Sequence, residues 1–376
     1  MPIQAAGWFG TRKGTVNSIA RDSDLPQAGT AGTRLSRGPL DLTPQAKRQN
    51  PSPVREKLGR LLRRLRENEV VSKMMVSSFR TLQRTGITVT PNHFYWPVPD
   101  INDLESRPWA ADTVPVGFDL GLERQVNWVG HLAARYQQEW SFPDRAADAT
   151  QYHYNNGLFE AVDAEIAYSI VRDLRPSRII EVGGGFSTRI LAAALQANRI
   201  MDGIEGELIT IEPFPSPALE GITNLIPTRI QDVDLDLFLS LQDGDILFLD
   251  SSHVVSVGSD VVREYLEILP RLQPGVIVHV HDIFLPSDYP RDAVLSNFCF
   301  WSEQYLLQAF LTFNPHFEVL WGSSAMQYYH PDVLLESFPR WEHSYRDMPK
   351  GVRQYLPTRD RDRVWPSSFW IRRIAV

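Results

Sequence analysis

The hydrophobic pattern of the chain changes at about residue 178, where short apolar runs begin to alternate with stretches of helical periodicity. Short apolar runs bounded by turn residues are typical of buried strands, and apolar residues three or four positions apart are typical of helices. This alternation predicts an α/β domain with a mostly parallel sheet. The predicted strands are 178–182, 207–212, 224–230, 245–250, 275–282, 317–321 and 367–374, and the predicted helices are 188–197, 235–241, 261–269 and 301–313.

The part of the chain before this alternation has a different pattern. Residues 1–52 are rich in Gly, Pro, Ser and Thr and have no sustained apolar period, which predicts a disordered segment. From Val54 and Leu58 onward, apolar residues recur at helical spacing with Arg and Lys between them, which predicts a basic amphipathic helix. Such a helix packs on the domain, joins copies into a homo-oligomer or lies on an anionic membrane surface. Two more helices are predicted at 120–139 and 158–173.

A glycine turn follows the first predicted strand. Gly183, Gly184 and Gly185 separate this strand from a helix, so a ligand can approach the backbone closely and meet the free N–H groups of the helix N-terminus. Glu212 closes the second strand at the same edge of the sheet, where a carboxylate accepts hydrogen bonds from both ribose hydroxyls. The order of strand, glycines, helix and acid predicts a site for a nucleoside cofactor.

Two residues help to distinguish which nucleoside cofactor binds at such a turn. Dinucleotide sites use a third glycine for helix packing, and Thr188 stands at that position. Glu181, inside the end of the first strand, is unusual beside a pyrophosphate but suits a ligand that carries an ammonium and a sulfonium. S-adenosylmethionine carries both groups, so these residues favour it over NAD.

Histidines and acids follow the fourth and fifth predicted strands. Asp250 and His253 come after strand four, and His281 and Asp282 end strand five. Because the carboxyl ends of parallel strands meet at the crevice where ligands bind, we expect these side chains to share one site. His253 is the leading candidate for a general base, against a structural histidine held within its loop. His279, on the other side of its strand from Asp282, is assigned to the core.

Composition and charge narrow the choice of partner. The first 67 residues hold 13 Lys and Arg against five Asp and Glu, whereas the whole chain has a net charge of −7, so the main body is acidic. An acidic body argues against a nucleic-acid substrate and favours a small molecule. The chain lacks both an apolar run long enough to span a bilayer and the apolar region of a secretory signal, which predicts a cytoplasmic protein. Cys299 is the only cysteine and excludes an internal disulfide.

Several motifs together resemble class I S-adenosylmethionine-dependent methyltransferases. The general signature is Glu181-x-Gly183-x-Gly185-x-Ser187 followed by Glu212, with an acid at the ends of strands four and five. More narrowly, the chain from about residue 90 onward is similar to a bacterial family of small-molecule methyltransferases, related to the metal-dependent O-methyltransferases of antibiotic pathways. The motifs of this narrower resemblance include Tyr152-x-x-x-Asn156-x-x-Phe159, Arg178-Ile-Ile-Glu-Val-Gly, Gln231-Asp232-Val233, Asp250-Ser251-Ser252-His253-Val254, His279-Val280-His281-Asp282-Ile283, Glu303-Gln304-Tyr305 and Ser368-Phe369-Trp370.

The resemblance implies a fold and a division of the chain. It implies a Rossmann-like, seven-stranded, mostly parallel sheet in the order 3-2-1-4-5-7-6, with the last strand antiparallel. Together with the disordered segment that composition predicts at 1–52, this gives a division into a helical cap at 53–157 and a methyltransferase domain at 158–376.

The resemblance also assigns residues to the cofactor. Glu181, Gly183 and Gly185 are expected to line its methionine part, and Ser187 is also expected to bind the cofactor. Glu212 is expected to hold the ribose, and Asp232 to lie beside the adenine. Tyr154 and Asn156 either close the site from above or pack within the cap.

A metal site is the last implication of the resemblance. In the antibiotic enzymes an acid after strand four and an acid pair after strand five bind a divalent ion, which lowers the pKa of the acceptor hydroxyl. Asp250, His281 and Asp282 stand at those positions, and His281 departs from the acid pair. Histidine and carboxylate ligands together suit Mn, Fe or Zn better than Mg. In the competing interpretation Asp250 contacts only cofactor or water, and Asp282 caps a loop.

The predicted function is methyl transfer from S-adenosylmethionine to a small molecule, with an oxygen acceptor favoured. His253, Asp250 and His281 are the catalytic candidates. An NAD-type oxidoreductase is one alternative, and a non-catalytic cofactor-binding subunit is another.

Overall fold

The protein is described by a computed structural model that divides into two units between Val89 and Thr90. The described residues are 77–79, 81–90, 97–106, 115–341 and 366–375. In the first unit, residues 77–79 and 81–84 are helical. The predicted disordered segment and the basic amphipathic helix lie outside the described residues, and the division at residue 157 stays a prediction.

The second unit is built on one seven-stranded sheet. Its strands are β1 (Arg178–Val182), β2 (Glu207–Ile211), β3 (Asn224–Ile226), β4 (Ile246–Leu249), β5 (Ile277–Val280), β6 (Phe317–Gly322) and β7 (Phe369–Arg373). Their order across the sheet is β3-β2-β1-β4-β5-β7-β6. The first five strands pair in parallel, and β7 lies antiparallel between β5 and β6. The predicted Rossmann-like fold is therefore confirmed, including the orientation of the last strand.

Helices cover both faces of this sheet. The α-helices described in this unit are α1 (Ile101–Ser106), α2 (Leu122–Tyr136), α3 (Asp163–Leu174), α4 (Phe186–Ala197), α5 (Leu235–Leu239), α6 (Asp260–Arg263), α7 (Arg291–Leu295), α8 (Glu303–Leu311), α9 (Ser323–Tyr329) and α10 (Pro331–Ser337). A π-helical stretch, Glu264–Ile268, continues α6. Among the described helices, none combines the length and apolar character that crossing a membrane requires.

The strands feed two apolar cores in alternation. Ile179 and Phe248 pack in the core that contains α2, α3 and α4, whereas Ile180 and Leu247 pack in the core on the opposite face. Alternation follows from the strand period of two, and burial on both faces explains the nearly continuous apolar runs in the sequence.

Helix α3 begins five residues later than the predicted helix 158–173. Val162 has φ of 74°, which lies in the left-handed region. A right-handed α-helix requires a negative φ, so the helix cannot include this residue. Before it, the Asn156 side-chain oxygen accepts the N–H groups of Leu158 and Phe159 at 2.9 and 2.8 Å. These contacts fold 156–162 into a loop at the edge of the sheet, where a helix was predicted.

The order of the strands reverses between β1 and β4. In open α/β sheets, ligands bind in the crevice outside the carboxyl ends of the strands at such a switch point. The N–H of Asp250 donates to the Val182 carbonyl at 2.9 Å, so the ends of the two strands are joined directly. The glycine turn and the group after strand four therefore meet, as the sequence predicted.

Candidate active site

A cavity of about 380 Å³ lies at this switch point. It is bounded by the glycine turn, by the loop before α3 and by the residues that follow β4 and β5. The predicted site residues in its wall are Gly183, Gly185, Ser187, Glu212, Asp250, His253, His281 and Asp282. The predicted site residues outside its wall are Glu181, Asp232, Tyr154 and Asn156.

Gly183 allows the two strand ends to approach. Its φ of 87° lies in the left-handed region, which favours glycine. A Cβ at Gly183 would lie 1.9 Å from the backbone oxygen of Asp250. At Gly185, by contrast, a Cβ would meet no atom within 4 Å. The turn therefore packs tightly against β4 on one side and leaves free volume on the other, directly before α4.

The Glu181 carboxylate lies beneath this turn. It is fully buried and accepts hydrogen bonds from the hydroxyls of Ser187, Thr188 and Thr210 at 2.7, 2.7 and 2.8 Å. Burial raises the pKa of Glu181 to about 7, although the three hydrogen bonds lower it. Glu181 thus joins β1, β2 and the first turn of α4, and it reaches the cavity only through Ser187.

The two acids predicted beside the nucleoside have different surroundings. Glu212 follows β2 in the cavity wall, where its carboxylate accepts the N–H groups of Gly184 and Phe214 at 3.1 and 2.8 Å. Asp232 is exposed and pairs with Arg229 at 2.8 Å, outside the wall. Only Glu212 is placed where a ligand in this cavity contacts it.

Tyr154 and Asn156 do not close the cavity. Tyr154 is fully buried, and its hydroxyl donates to Glu165 Oε1 at 3.0 Å. Asn156 donates to the carbonyls of His153 and Phe159, both at 2.8 Å. Of the two interpretations offered for them, packing and loop structure is the one that these contacts support.

Replacing Glu165 by Gln is expected to change how stability depends on pH. Burial raises the pKa of Glu165 from 4.5 to about 7, although hydrogen bonds from Val162 and Tyr154 lower it. Because the folded pKa is higher than the unfolded one, the contribution of Glu165 to stability is present below pH 4.5 and is lost as the pH rises through 7. Relative to the natural protein, Glu165→Gln should gain up to about 3 kcal/mol in unfolding free energy between about pH 5 and pH 8.

Chemical denaturation of both proteins at the two pH values measures this gain. Glu336→Gln, at an exposed position on α10, is the matched control and should follow the natural protein. If Glu165→Gln kept the same stability difference at both pH values, the assigned pKa would be wrong.

His253 is the centre of the charged group in the cavity wall. Its Nε2 lies 3.4 Å from Asp250 Oδ1 and 3.4 Å from Asp282 Oδ2, and its Nδ1 lies 2.9 Å from Glu303 Oε2. The residue is 7% exposed and has φ of 60°. A left-handed conformation is uncommon for residues other than glycine, and strain of this kind is concentrated at functional sites.

The charges around His253 raise the pKa of this histidine and lower the pKa of Asp250. Burial would lower the pKa of His253, but hydrogen bonds to Asp250 and Glu303 and the charge of Asp282 outweigh it and hold this pKa well above its usual range. Burial would raise the pKa of Asp250, but the charges of His281 and His253 lower it. In the free protein His253 is therefore an imidazolium between carboxylates.

His281 and His279 lie on one side of β5 with different roles. His281 is in the cavity wall, and the charges of Asp250 and Asp282 raise its pKa although burial lowers it. His279 is fully buried, stacks on Phe248 with 3.7 Å between ring centroids, and contacts the Ser368 hydroxyl at 2.9 Å. The assignment of His279 to the core agrees with this position.

The three predicted metal ligands share the cavity but do not surround a common point. Within the ranges that the structure describes, no group of three His, Cys, Asp or Glu side chains is arranged to hold an ion. The His253 imidazole lies between the Asp250 and Asp282 carboxylates, and His281 Nε2 is 3.9 Å from Asp282 Oδ1. As placed, Asp250, His281 and Asp282 do not fit a divalent ion, and we derive no step through a metal.

Several side chains of this site were not predicted. Glu303 was named as part of a motif but was not assigned to the site, because it lies 50 residues after His253 in the chain and no local pattern connects the two. Glu160 is 5% exposed in the cavity wall, and burial raises its pKa to about 7. Trp301 packs edge-on against the His253 ring at 5.3 Å. The loop before α3 brings Glu160 to the cavity wall, the turn before α8 brings Trp301 there, and Glu303 lies directly behind His253, an arrangement that no periodicity of the sequence indicates.

Comparisons with known proteins concern the same region. A family model described as a methyltransferase domain matches residues 180–283. An uncharacterized protein of Archaeoglobus fulgidus is 32% identical over 177 residues, which are 44% of this chain and 78% of that protein. A structure of CmcI with magnesium and S-adenosylmethionine is 17% identical, covering 57% of this chain and 71% of its own, with a TM-score of 0.25. CmcI with S-adenosylhomocysteine is 14% identical, covering 62% and 96%, with a TM-score of 0.26.

Proposed function

The chain belongs to the class I S-adenosylmethionine-dependent methyltransferases, and from this premise we propose that it transfers a methyl group to a hydroxyl oxygen of a small molecule. One observation carries the proposal: the glycine turn, Glu212 and His253 with its neighbours Asp250 and Asp282 line a single cavity. In such a cavity the cofactor, held by the glycine turn, and the acceptor molecule lie side by side, with a proton acceptor next to both. Holding the two reactants together in this way is the main requirement of group transfer.

The wall of the cavity fits S-adenosylmethionine. The free volume at Gly185 leaves room for a ligand against the backbone, and Glu212 offers its carboxylate to ribose hydroxyls. Thr188 accepts the Gly185 N–H at 2.9 Å and donates to Glu181, so the third glycine position of dinucleotide sites is occupied by a side chain that holds the turn. These contacts support a methyl donor over NAD.

The protein itself orients the acceptor, excludes water and removes a proton. When bound, S-adenosylmethionine supplies an electrophilic methyl group on a sulfonium. Phe159, Phe284 and Trp301 are among the apolar side chains of the wall, and we assign to them the exclusion of water from the acceptor oxygen.

We assign proton removal to His253. Its pKa lies well above the usual range, so it holds a proton in the free protein. It loses that proton more readily once a second positive charge is bound in the cavity, because like charges disfavour the imidazolium. Neutral His253 then accepts the hydroxyl proton at Nε2, and Asp250 and Asp282 stabilise the imidazolium that forms.

Isothermal titration calorimetry with S-adenosylhomocysteine and with NADH tests the cofactor. We expect S-adenosylhomocysteine to bind with one site per chain and NADH to give no binding heat, because Thr188 replaces the glycine that a dinucleotide site requires. Binding of NADH alone would overturn the proposed function.

The acceptor is tested with S-adenosylmethionine that carries a labelled methyl group. The protein and this donor are incubated with a small-molecule extract of the source cells, and labelled products are identified by mass spectrometry. We expect an O-methyl product, because the cavity supplies a base for a hydroxyl proton. A labelled N-methyl product would contradict the oxygen assignment and leave methyl transfer itself intact.

A further inference from the structure

Glu303, the first residue of α8, is the closest polar partner of the His253 imidazole ring. Its Oε2 lies 2.9 Å from His253 Nδ1, and Glu303 is 1% exposed and outside the cavity wall. We propose that Glu303 is a positioning residue, whose carboxylate fixes the His253 imidazole with Nε2 facing Asp250 and Asp282. The consequence for catalysis rests on the methyl transfer proposed above, whereas the positioning itself does not.

The distances around the imidazole single out Glu303. A hydrogen bond from a ring N–H to oxygen is strongest at about 2.7 to 3.2 Å. The contact of Nδ1 with Glu303 falls in this range, and the two contacts of Nε2, both 3.4 Å, lie outside it. The orientation of the ring is therefore set at Nδ1, and Nε2 keeps the weaker contacts that a proton acceptor in a reaction must be able to exchange.

The backbone of the same segment holds His253 from a second direction. The N–H groups of Ser302 and Glu303 donate to the His253 carbonyl at 2.8 and 3.1 Å, and the Ser302 hydroxyl accepts the N–H of Val255 at 2.8 Å. Since His253 has the uncommon φ of 60°, such contacts are required to keep its backbone in place. Side chain and main chain of Glu303 thus act on the same histidine.

The next residue extends this contact to the loop after β5. Gln304 accepts the N–H of Phe284 at 2.8 Å and donates to the Ser287 carbonyl at 3.0 Å. The first turn of α8 therefore binds the loops that follow β4 and β5, which carry Asp250, His253 and Asp282. A rigid connection of this kind is what holds a catalytic group in productive geometry.

Nitrogen NMR of protein labelled with ¹⁵N-histidine tests the positioning without any acceptor. We expect a hydrogen-bonded Nδ1 proton on His253, assigned by its loss in His253→Asn. This signal should disappear in Glu303→Ala and remain in the exposed control Glu336→Ala. Affinity for S-adenosylhomocysteine should change less than about twofold in Glu303→Ala, because Glu303 lies outside the wall. A signal that persists in Glu303→Ala would overturn the proposal, whether or not the protein transfers methyl groups.

A double-variant cycle measures the effect on methyl transfer to the acceptor found with the labelled donor. Glu303→Ala should lower the rate about 100-fold, the lower end of the contribution of a general base, because the His253 base would lose the carboxylate that orients it. In a His253→Ala background the same change should cost less than about twofold, because residues that act as one unit are not additive. Glu303→Gln should retain part of the rate. Equal losses in both backgrounds would show a general structural role and overturn the positioning.

Discussion

Gly183→Ala is expected to abolish measurable binding of S-adenosylhomocysteine and to lower the melting temperature by many degrees. The new Cβ would lie 1.9 Å from the backbone oxygen of Asp250. Backbone cannot rotate away as a side chain can, so the end of β1 must move away from the end of β4. The φ of 87° adds strain for any residue with a Cβ, and together these effects cost on the order of 3 kcal/mol or more.

Two matched alanine variants separate the causes of this loss. Gly203→Ala has a similar φ of 71° in an exposed turn with no atom within 4 Å, so it should lose only about 1 kcal/mol and bind the cofactor product normally. Gly185→Ala has no clash and should fold normally, but its methyl group takes space in the cavity wall and should weaken binding. Calorimetry and thermal melting of all three variants test the assignment. A Gly183→Ala variant that binds as the natural protein does would contradict it.

The strands of the sheet could be predicted because each of them is marked by the pattern of its own few residues in the sequence. β1 and β4 are buried on both faces, so each appears in the sequence as a mainly apolar run, and the glycines after β1 mark the turn into α4. β3 is shorter than predicted, because its ladder ends at Ile226, directly before Pro227, which has no N–H to donate to a neighbouring strand. The start of α3 was missed because the conformation of Val162 depends on contacts of Asn156 and Glu165 that no periodicity reveals.

The site was predictable at the strand ends and less so elsewhere. Asp250, His253, His281 and Asp282 meet because parallel strands end at one edge. Glu303 reaches the same place from a helix 50 residues later, and only the packing of α8 decides this.

The residue type of Glu181 pointed to the cofactor turn, but its assignment as a residue that lines the cofactor was too simple. A carboxylate at the end of β1 does belong to the cofactor turn, yet Ser187, Thr188 and Thr210 satisfy it from below. Because these hydroxyls come from two separate elements, α4 and β2, the sequence could not show that the acid supports the turn and lies outside the cavity wall.

His253 receives contacts from three separate segments of the chain. Asp250 follows β4, Asp282 follows β5 and Glu303 begins α8. Three carboxylates around one buried imidazole stabilise its charged form. A raised pKa leaves less of the imidazole unprotonated at neutral pH, and this fraction grows as the pH rises, so the arrangement predicts a pH dependence of the rate as well as a dependence on the side chain.

His253→Ala is expected to lower methyl transfer about 100- to 1,000-fold, the contribution typical of a general base. Its binding of S-adenosylhomocysteine should change little, because the glycine turn and Glu212 remain. In the natural protein the rate should rise as the pH rises through the raised pKa of His253, because only the neutral imidazole accepts a proton, and the variant should lose this rise. His131→Ala, at an exposed position on α2, is the control and should keep the full rate. If His253→Ala kept both the rate and its pH dependence, the proton would leave by another group, and Asp250 would be the next candidate.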